Sequence, residues 1–498
     1  MENKAREKFS SRLGFILVSA GCAVGLGNVW KFPYICGKNG GAAFILLYLI
    51  CLVILGLPIL VFEFSVGRGS GKSICSAFRE LAPKSKRWQK FGIFGLIGNY
   101  LLMMFYTMVA GWMVRYVLLM ESAKDGGQGK DAIHQHFVDM TSKPWLMFGF
   151  AVFVIAVCIG VCALGLNNGV EKISKVMMTS LIVLMIIMAV RSVLLENSGE
   201  GLRFYLVPDF ERMQQQGLGN VLFDAMTHAF FTLSVGMGSM EIFGSYLSKD
   251  RSITGEALNV TILDTVIALI AGIIIIPACF AFGVEPDAGP SLLFETLPNV
   301  FHYIPGGQIW GTLFFVFMSF AAMSTVIAVF ENIIAMSMDR FSWTRKKSVS
   351  INLVLITLGS IPAILGFNLW KGFQPLGPGT NVMDLEDFIV SYNILPLGSL
   401  LMILFCNRAN GWGFDNFLKE ADTGKGLRFP KSMRFYTAYI LPAIILIIYF
   451  KGYYDTFAKH TLPERIVWMG VACLFVWFIF YCASDKGEKE ETEETEVA

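Results

Sequence analysis

Roughly twelve stretches of this chain are apolar over about 20 residues or more, long enough to cross a bilayer as helices. They fall at 13–36, 41–66, 90–120, 145–166, 173–195, 220–247, 256–283, 308–338, 349–367, 385–406, 433–450 and 464–482. Hydrocarbon offers no water to unpaired peptide groups, so a chain built this way has two solutions, helices or a closed barrel. Barrel strands are short and alternate apolar with polar residues, whereas these runs are continuous. An all-α polytopic membrane protein of about 12 transmembrane helices is expected. Composition agrees: 55% of the 498 residues are apolar and 16% charged, against about a quarter charged in soluble domains.

Where the charges sit sets the orientation. The loop at 68–90 carries Arg68, Lys72, Arg79, Lys84, Lys86, Arg87 and Lys90, while that at 284–307 carries Glu285, Asp287 and Glu295 with no Lys or Arg. The first is expected inside and the second outside. Arg340, Arg345, Lys346 and Lys347, and later Arg408, Lys419, Lys425, Arg428 and Lys431, then fall on the inner side. Both termini are expected in the cytoplasm, with the chain multi-pass in the inner (plasma) membrane. Lys4, Arg6, Lys8 and Arg12 lead into an apolar run too long for a signal core, so the first helix is expected to stay. The acidic tail 484–498 is expected to be solvated.

A net charge of +2 gives no nucleic-acid footprint. The ten Cys, among them Cys51, Cys158, Cys162 and Cys279, form no CxxC pair and read as small buried hydrophobes. Gly67 to Ser73 imitates a phosphate-binding loop, but its leading glycine is one residue too close and it follows a membrane run. His134 and His136 read as a solvated outer loop. No nucleophile–base motif stands out, so an enzyme is not expected.

Two runs are interrupted by glycine at similar places, Gly21 to Asn28 in the first and Ser234 to Gly238 in the sixth. They open two halves of comparable length, 13–195 and 220–406. Such glycines fit broken helices of an inverted repeat, whose unwound backbone binds solutes at mid-membrane. They equally fit close helix packing.

The stretch Arg12-Leu13-Gly14-Phe15, then Gly21-Cys22-Ala23-Val24-Gly25-Leu26-Gly27-Asn28-Val29-Trp30-Lys31-Phe32-Pro33-Tyr34, then Asn39 to Phe44, resembles the neurotransmitter:sodium symporter family in its bacterial amino-acid branch. Further matches are Glu63, Tyr106 in FYTMVAGW, FFTLSVGMG at 230–238, FAAMSTVIA at 320–328 and Asp387. The resemblance covers nearly the whole chain. It implies a 5+5 inverted repeat over 13–195 and 220–406, with broken first and sixth helices and two additional helices at 433–482. The segment 1–12 then carries an inner-gate residue. The implied activity is sodium-coupled symport of a neutral, hydrophobic L-amino acid by alternating access. The alternative on the same fold is a membrane sensor that binds the amino acid without moving it.

The resemblance also implies site residues. A first sodium site carries over to Ala23, Asn28, Thr232 and Asp264, and a second to Gly21, Val24, Ala321, Ser324 and Thr325. Asp264 stands where animal relatives typically have Asn and need chloride, so two Na⁺ and no chloride requirement are expected. Substrate contacts carry over to Cys22, Ala23, Gly25, Gly27, Leu102, Tyr106, Val109, Phe231, Thr232, Ser234, Met237, Thr325 and Val329. Gly25 leaves room for a substrate carboxylate where monoamine carriers place an acidic side chain. Lys31 and Asp387 match an outer gate with Phe231 as lid, and Arg6 and Asp339 an inner gate near Phe9. Three departures stand out: Cys22 where many relatives carry Asn, an extra acid at Glu241, and Thr179 in a fifth helix that lacks the proline of some relatives.

Overall fold

The computed structural model describes residues 7–122, 130–283, 292–298, 301 and 306–484. Arg6, most of the tail 484–498 and the loop acids Glu285 and Asp287 lie outside them. Among the described residues, ten helices are long and apolar enough to cross a membrane, and an eleventh crossing is made by a bent pair. The bent pair is α1 (Arg12–Ala23) and α2 (Gly27–Lys38), which meet at 58°. Then come α3 (Ala42–Ser70), α4 (Trp88–Glu121), α5 (Pro144–Ala163) and α6 (Leu166–Val193). The sixth apolar run is again split, into α7 (Leu218–Thr232) and α8 (Ser239–Ser245), each too short to span alone. The remainder are α9 (Ile253–Ala281), α10 (Gly307–Phe341), α11 (Arg345–Gly366), α12 (Val382–Asn407), α13 (Met433–Thr456) and α14 (Leu462–Ala483).

Local chemistry sets many of these ends. Ser11 caps α1 by accepting from the Gly14 amide, and capping boxes at Asn381–Asp384 and Thr461–Glu464 start α12 and α14. Gly71, in the left-handed region, closes α3. Thr179 lies inside an unbroken helix, so α6 does not unwind where relatives carry proline; the only irregular turn nearby is the wide one at Leu166–Glu171 that begins it.

The helices form layers. α12 and α10 are the most enclosed, with 83% and 78% of their apolar windows buried, while α14 is only 22% buried. Trp145 on α5, Leu194 just past α6, Ile447 on α13 and Trp477 on α14 point outward, where lipid would cover them. α10 packs along α4, and α8 lies against α3. Both breaks therefore fall in the protected middle.

Candidate functional site

At the first break, Val24 ends α1 with an extended ψ of 94°. The freed Leu26 amide donates to Tyr106 Oη at 3.0 Å, and the Gly25 amide lies 3.4 Å from Asn28 Oδ1. The freed carbonyls are less well provided. Thr325 Oγ1 is 3.2 Å from the carbonyls of both Gly21 and Val24, and 3.4 Å from that of Ala321. Ser324 Oγ donates to Ala321 at 2.9 Å. A hydroxyl has one proton, so Thr325 satisfies only one of its three carbonyls at a time. This cluster, buried in α1 and α10, holds more acceptors than donors.

A second polar cluster lies across the cavity. Asn28 Nδ2 donates to Asp264 Oδ1 at 2.8 Å, to the Asp264 carbonyl at 3.2 Å and to Thr232 Oγ1 at 3.1 Å. Thr232 Oγ1 in turn donates to Asp264 Oδ2 at 2.8 Å. Asn28, Thr232 and Asp264 are all buried, and among the described residues no Lys or Arg forms an ion pair with Asp264. A carboxylate in that position needs a cation or a proton. No three His, Cys, Asp or Glu side chains converge among the described residues, so these oxygens suit an alkali ion better than a transition metal.

Between the clusters lies a small cavity, with about 40 Å³ of free space, lined by Cys22, Ala23, Gly25, Gly27, Leu102, Tyr106, Phe231, Ser234, Met237, Thr325, Val390 and Leu395. In this closed arrangement it has room for a few water molecules, and an organic solute requires these walls to part. A Cβ on Gly25 would come within 2.6 Å of Tyr106 Oη and 2.8 Å of Thr325 Oγ1, which explains the glycine. Val109 and Val329 are buried but do not line the cavity in this arrangement. Val390 and Leu395 of α12 take part instead, and neither stood out from the apolar run around it. The useful signal was Pro396 followed by Gly398, because Gly398 lets α12 bring its backbone against that of Gly236.

The sixth-span break is held by fixed groups. Ser234 adopts φ 51°, with Gly236 and Gly238 at 103° and 77°. Ser234 Oγ donates to the Cys22 carbonyl at 3.2 Å, which joins the two breaks. The buried Glu63 carboxylate on α3 accepts from the Gly236 amide and faces those of Met240 and Glu241, capping α8.

Of the gate residues, Lys31 Nζ stands 3.9 Å over the Phe231 ring, in a separate pocket shared with Tyr392 and Leu395. Asp387 accepts from Ser391 at 2.7 Å, and no ion pair joins it to Lys31 in this structure. Asp339 Oδ2 accepts from the Ser73 amide at 2.7 Å, while Arg6 is outside the described residues. Phe9 packs on Phe15, Phe243 and Tyr246. Near it is a buried pair that sequence reasoning missed: Glu331 binds Arg345 and accepts from Tyr246 Oη at 2.9 Å.

Two interrupted spans facing one enclosed cavity define a secondary carrier. The chain belongs to the sodium:neurotransmitter symporter family, which matches residues 6–124 and 132–484. It is 34% identical over 405 residues to YhdH, an uncharacterized sodium-dependent transporter of Bacillus subtilis, covering 81% of this chain and 88% of the relative. It is 33% identical over 462 residues to an uncharacterized sodium-dependent transporter of Haemophilus influenzae, covering 90% and 98%. Its fold is similar to the crystal structure of MhsT in complex with L-phenylalanine, with a TM-score of 0.79 and 37% identity over 89% of this chain and 99% of MhsT. The protein is therefore a multi-pass, sodium-dependent symporter.

Proposed function

We propose that this symporter imports a neutral, hydrophobic L-amino acid with two sodium ions and without chloride, by alternating access across the cell's inner membrane. The observation that carries the reading is the buried surplus of oxygen acceptors around Thr325, matched across the cavity by the uncompensated Asp264 carboxylate. One ion is assigned to Gly21, Val24, Ala321, Ser324 and Thr325. The other is assigned to Ala23, Asn28, Thr232 and Asp264, where the fixed carboxylate does the balancing that chloride does elsewhere.

The substrate carboxylate is assigned to Tyr106 and the amides near Gly25 and Gly27, and its ammonium to the backbone around Phe231 and Ser234. The apolar wall of Leu102, Met237, Val390 and Leu395 favours an uncharged side chain. Lys31, Phe231 and Asp387 are assigned to the outer gate and Arg6 and Asp339 to the inner one, with both termini in the cytoplasm. The halves 13–195 and 220–406 are assigned as inverted repeats, and 433–482 as an addition.

Each inward Na⁺ contributes about 2.3 kcal/mol at 100 mV. A tenfold gradient adds about 1.4 kcal/mol. Two ions thus supply roughly 7 kcal/mol, enough for about 10⁵-fold accumulation of a zwitterion.

The test is uptake of labelled L-phenylalanine into vesicles loaded without sodium, with unlabelled amino acids as competitors. Accumulation above equilibrium on adding outside sodium, unchanged when gluconate replaces chloride, is expected. Binding without accumulation would make the protein a sensor, and collapse in gluconate would overturn chloride independence.

A further inference from the structure

Beneath the cavity, toward the end expected to face the cytoplasm, three buried polar side chains meet from three helices: Asn99 of α4, Ser239 of α8 and Asn332 of α10. Asn99 Nδ2 donates to the Met237 carbonyl at 2.9 Å and to its own helix at Gly95 at 2.8 Å. Its Oδ1 accepts from Ser239 Oγ at 3.0 Å and from Asn332 Nδ2 at 2.9 Å. Asn332 Nδ2 also lies 3.4 Å from Ser239 Oγ.

Position along the helices makes this a floor to the pocket. Asn99 lies seven residues before Tyr106 on α4, and Asn332 seven residues after Thr325 on α10. Seven residues are nearly two turns, about 10 Å. Both helices thus present a cavity residue and, at one depth below it, an amide.

What the amides grip is the hinge itself. Met237 lies in the unwound segment and Ser239 is the first residue of α8, so the cluster holds both sides of the point where the sixth span resumes. We take the broken sixth span, α8 included, as the part that moves in the alternating-access cycle that the symporter reading implies, and the continuous helices α4 and α10 as the part it moves against. The network is also one donor short: among the described residues nothing donates to Asn332 Oδ1, although it is buried. A buried acceptor without a donor is destabilising, and water admitted from below would supply one. The dry, shut arrangement therefore carries a cost that entering water would relieve.

We propose that Asn99, Ser239 and Asn332 form a latch between the moving sixth span and the scaffold that holds the inner path shut during loading and lets go as water enters. The proposal rests on the symporter reading above. These are positioning residues and touch neither ion nor substrate.

The test is hydrogen–deuterium exchange on the full chain in lipid nanodiscs, in sodium and in potassium buffer, reading the peptide that spans 239–247. Wild type is expected to exchange more slowly in sodium. Ser239→Ala, which removes one hydroxyl, and Asn332→Ala are each expected to speed exchange in sodium roughly fivefold while matching wild type in potassium. The double variant is expected to do no more than the stronger single one, because both cut one network. Variants as protected as wild type in sodium overturn the latch alone. Faster exchange in both salts, spread over α4, α8 and α10, marks a packing role and also overturns it. A wild type indifferent to sodium that also fails to accumulate L-phenylalanine overturns the symporter reading, and the latch with it.

Discussion

The break between Ala23 and Gly27 leaves the carbonyls of Gly21 and Val24 sharing a single hydroxyl proton, whereas the break between Thr232 and Ser239 has amides on the Glu63 carboxylate and the Met237 carbonyl on an amide nitrogen. Both interrupt a span in the dry interior and both must account for freed backbone groups. The first does so incompletely, and what it lacks is positive charge. The second does so with permanent side chains from α3 and α4. An unwound segment is thus not by itself a binding site; the one short of donors is the one to which we assign an ion.

The largest expected effect comes from removing the carboxylate that faces the first break. Asp264→Ala should lower sodium-driven uptake by at least about 100-fold, since it leaves Asn28 and Thr232 without their shared acceptor. Near-normal uptake would show that the negative charge is structural. Gly25→Ala comes next: the added methyl crowds Tyr106 Oη and Thr325 Oγ1, and half-saturation for L-phenylalanine should rise by about tenfold or more.

Thr325→Ala leaves three carbonyls without their shared proton and, on the proposed sodium assignment, removes a ligand, so the sodium concentration for half-maximal uptake should rise by roughly tenfold. Glu63→Gln addresses the other break. It keeps an acceptor oxygen but removes the charge at the start of α8, and should cost about 1–2 kcal/mol of stability, read as a lower unfolding midpoint in nanodiscs. Its sodium dependence should stay within about threefold of wild type. If Glu63→Gln disturbed sodium more than Thr325→Ala did, the contrast between an ion-holding break and a self-sufficient one would fail.

The two breaks also differed in how readable they were. Apolar length placed most described spans to within four residues, with 90–120 found as Trp88–Glu121 and 308–338 as Gly307–Phe341, because burial in lipid is a property of composition, while 173–195 began seven residues late and 433–450 ended six early. Glycine clustering located both interruptions, since helix-breaking is local. Which groups satisfy each break was a different matter. Thr325 and Asp264 came from the family register, but Asn99, Asn332 and Leu395 lie 138, 93 and 159 residues from their neighbours Met237, Ser239 and Gly236 along the chain. Nothing in their own neighbourhoods announces those partners. Lys31 and Asp387 were paired through the family register, and in this structure the Phe231 face takes the same ammonium.

The glycine-on-glycine contact at 236 and 398 limits how this protein could change its diet. There the main chains of α12 and the sixth-span hinge touch with no side chain between them, and a Cβ on either glycine would overlap the other strand of backbone. That wall cannot be carved wider or narrower by substitution. Selection for a bulkier or smaller cargo should therefore gather its changes at Cys22, Leu102, Met237 and Val390, and leave both glycines untouched.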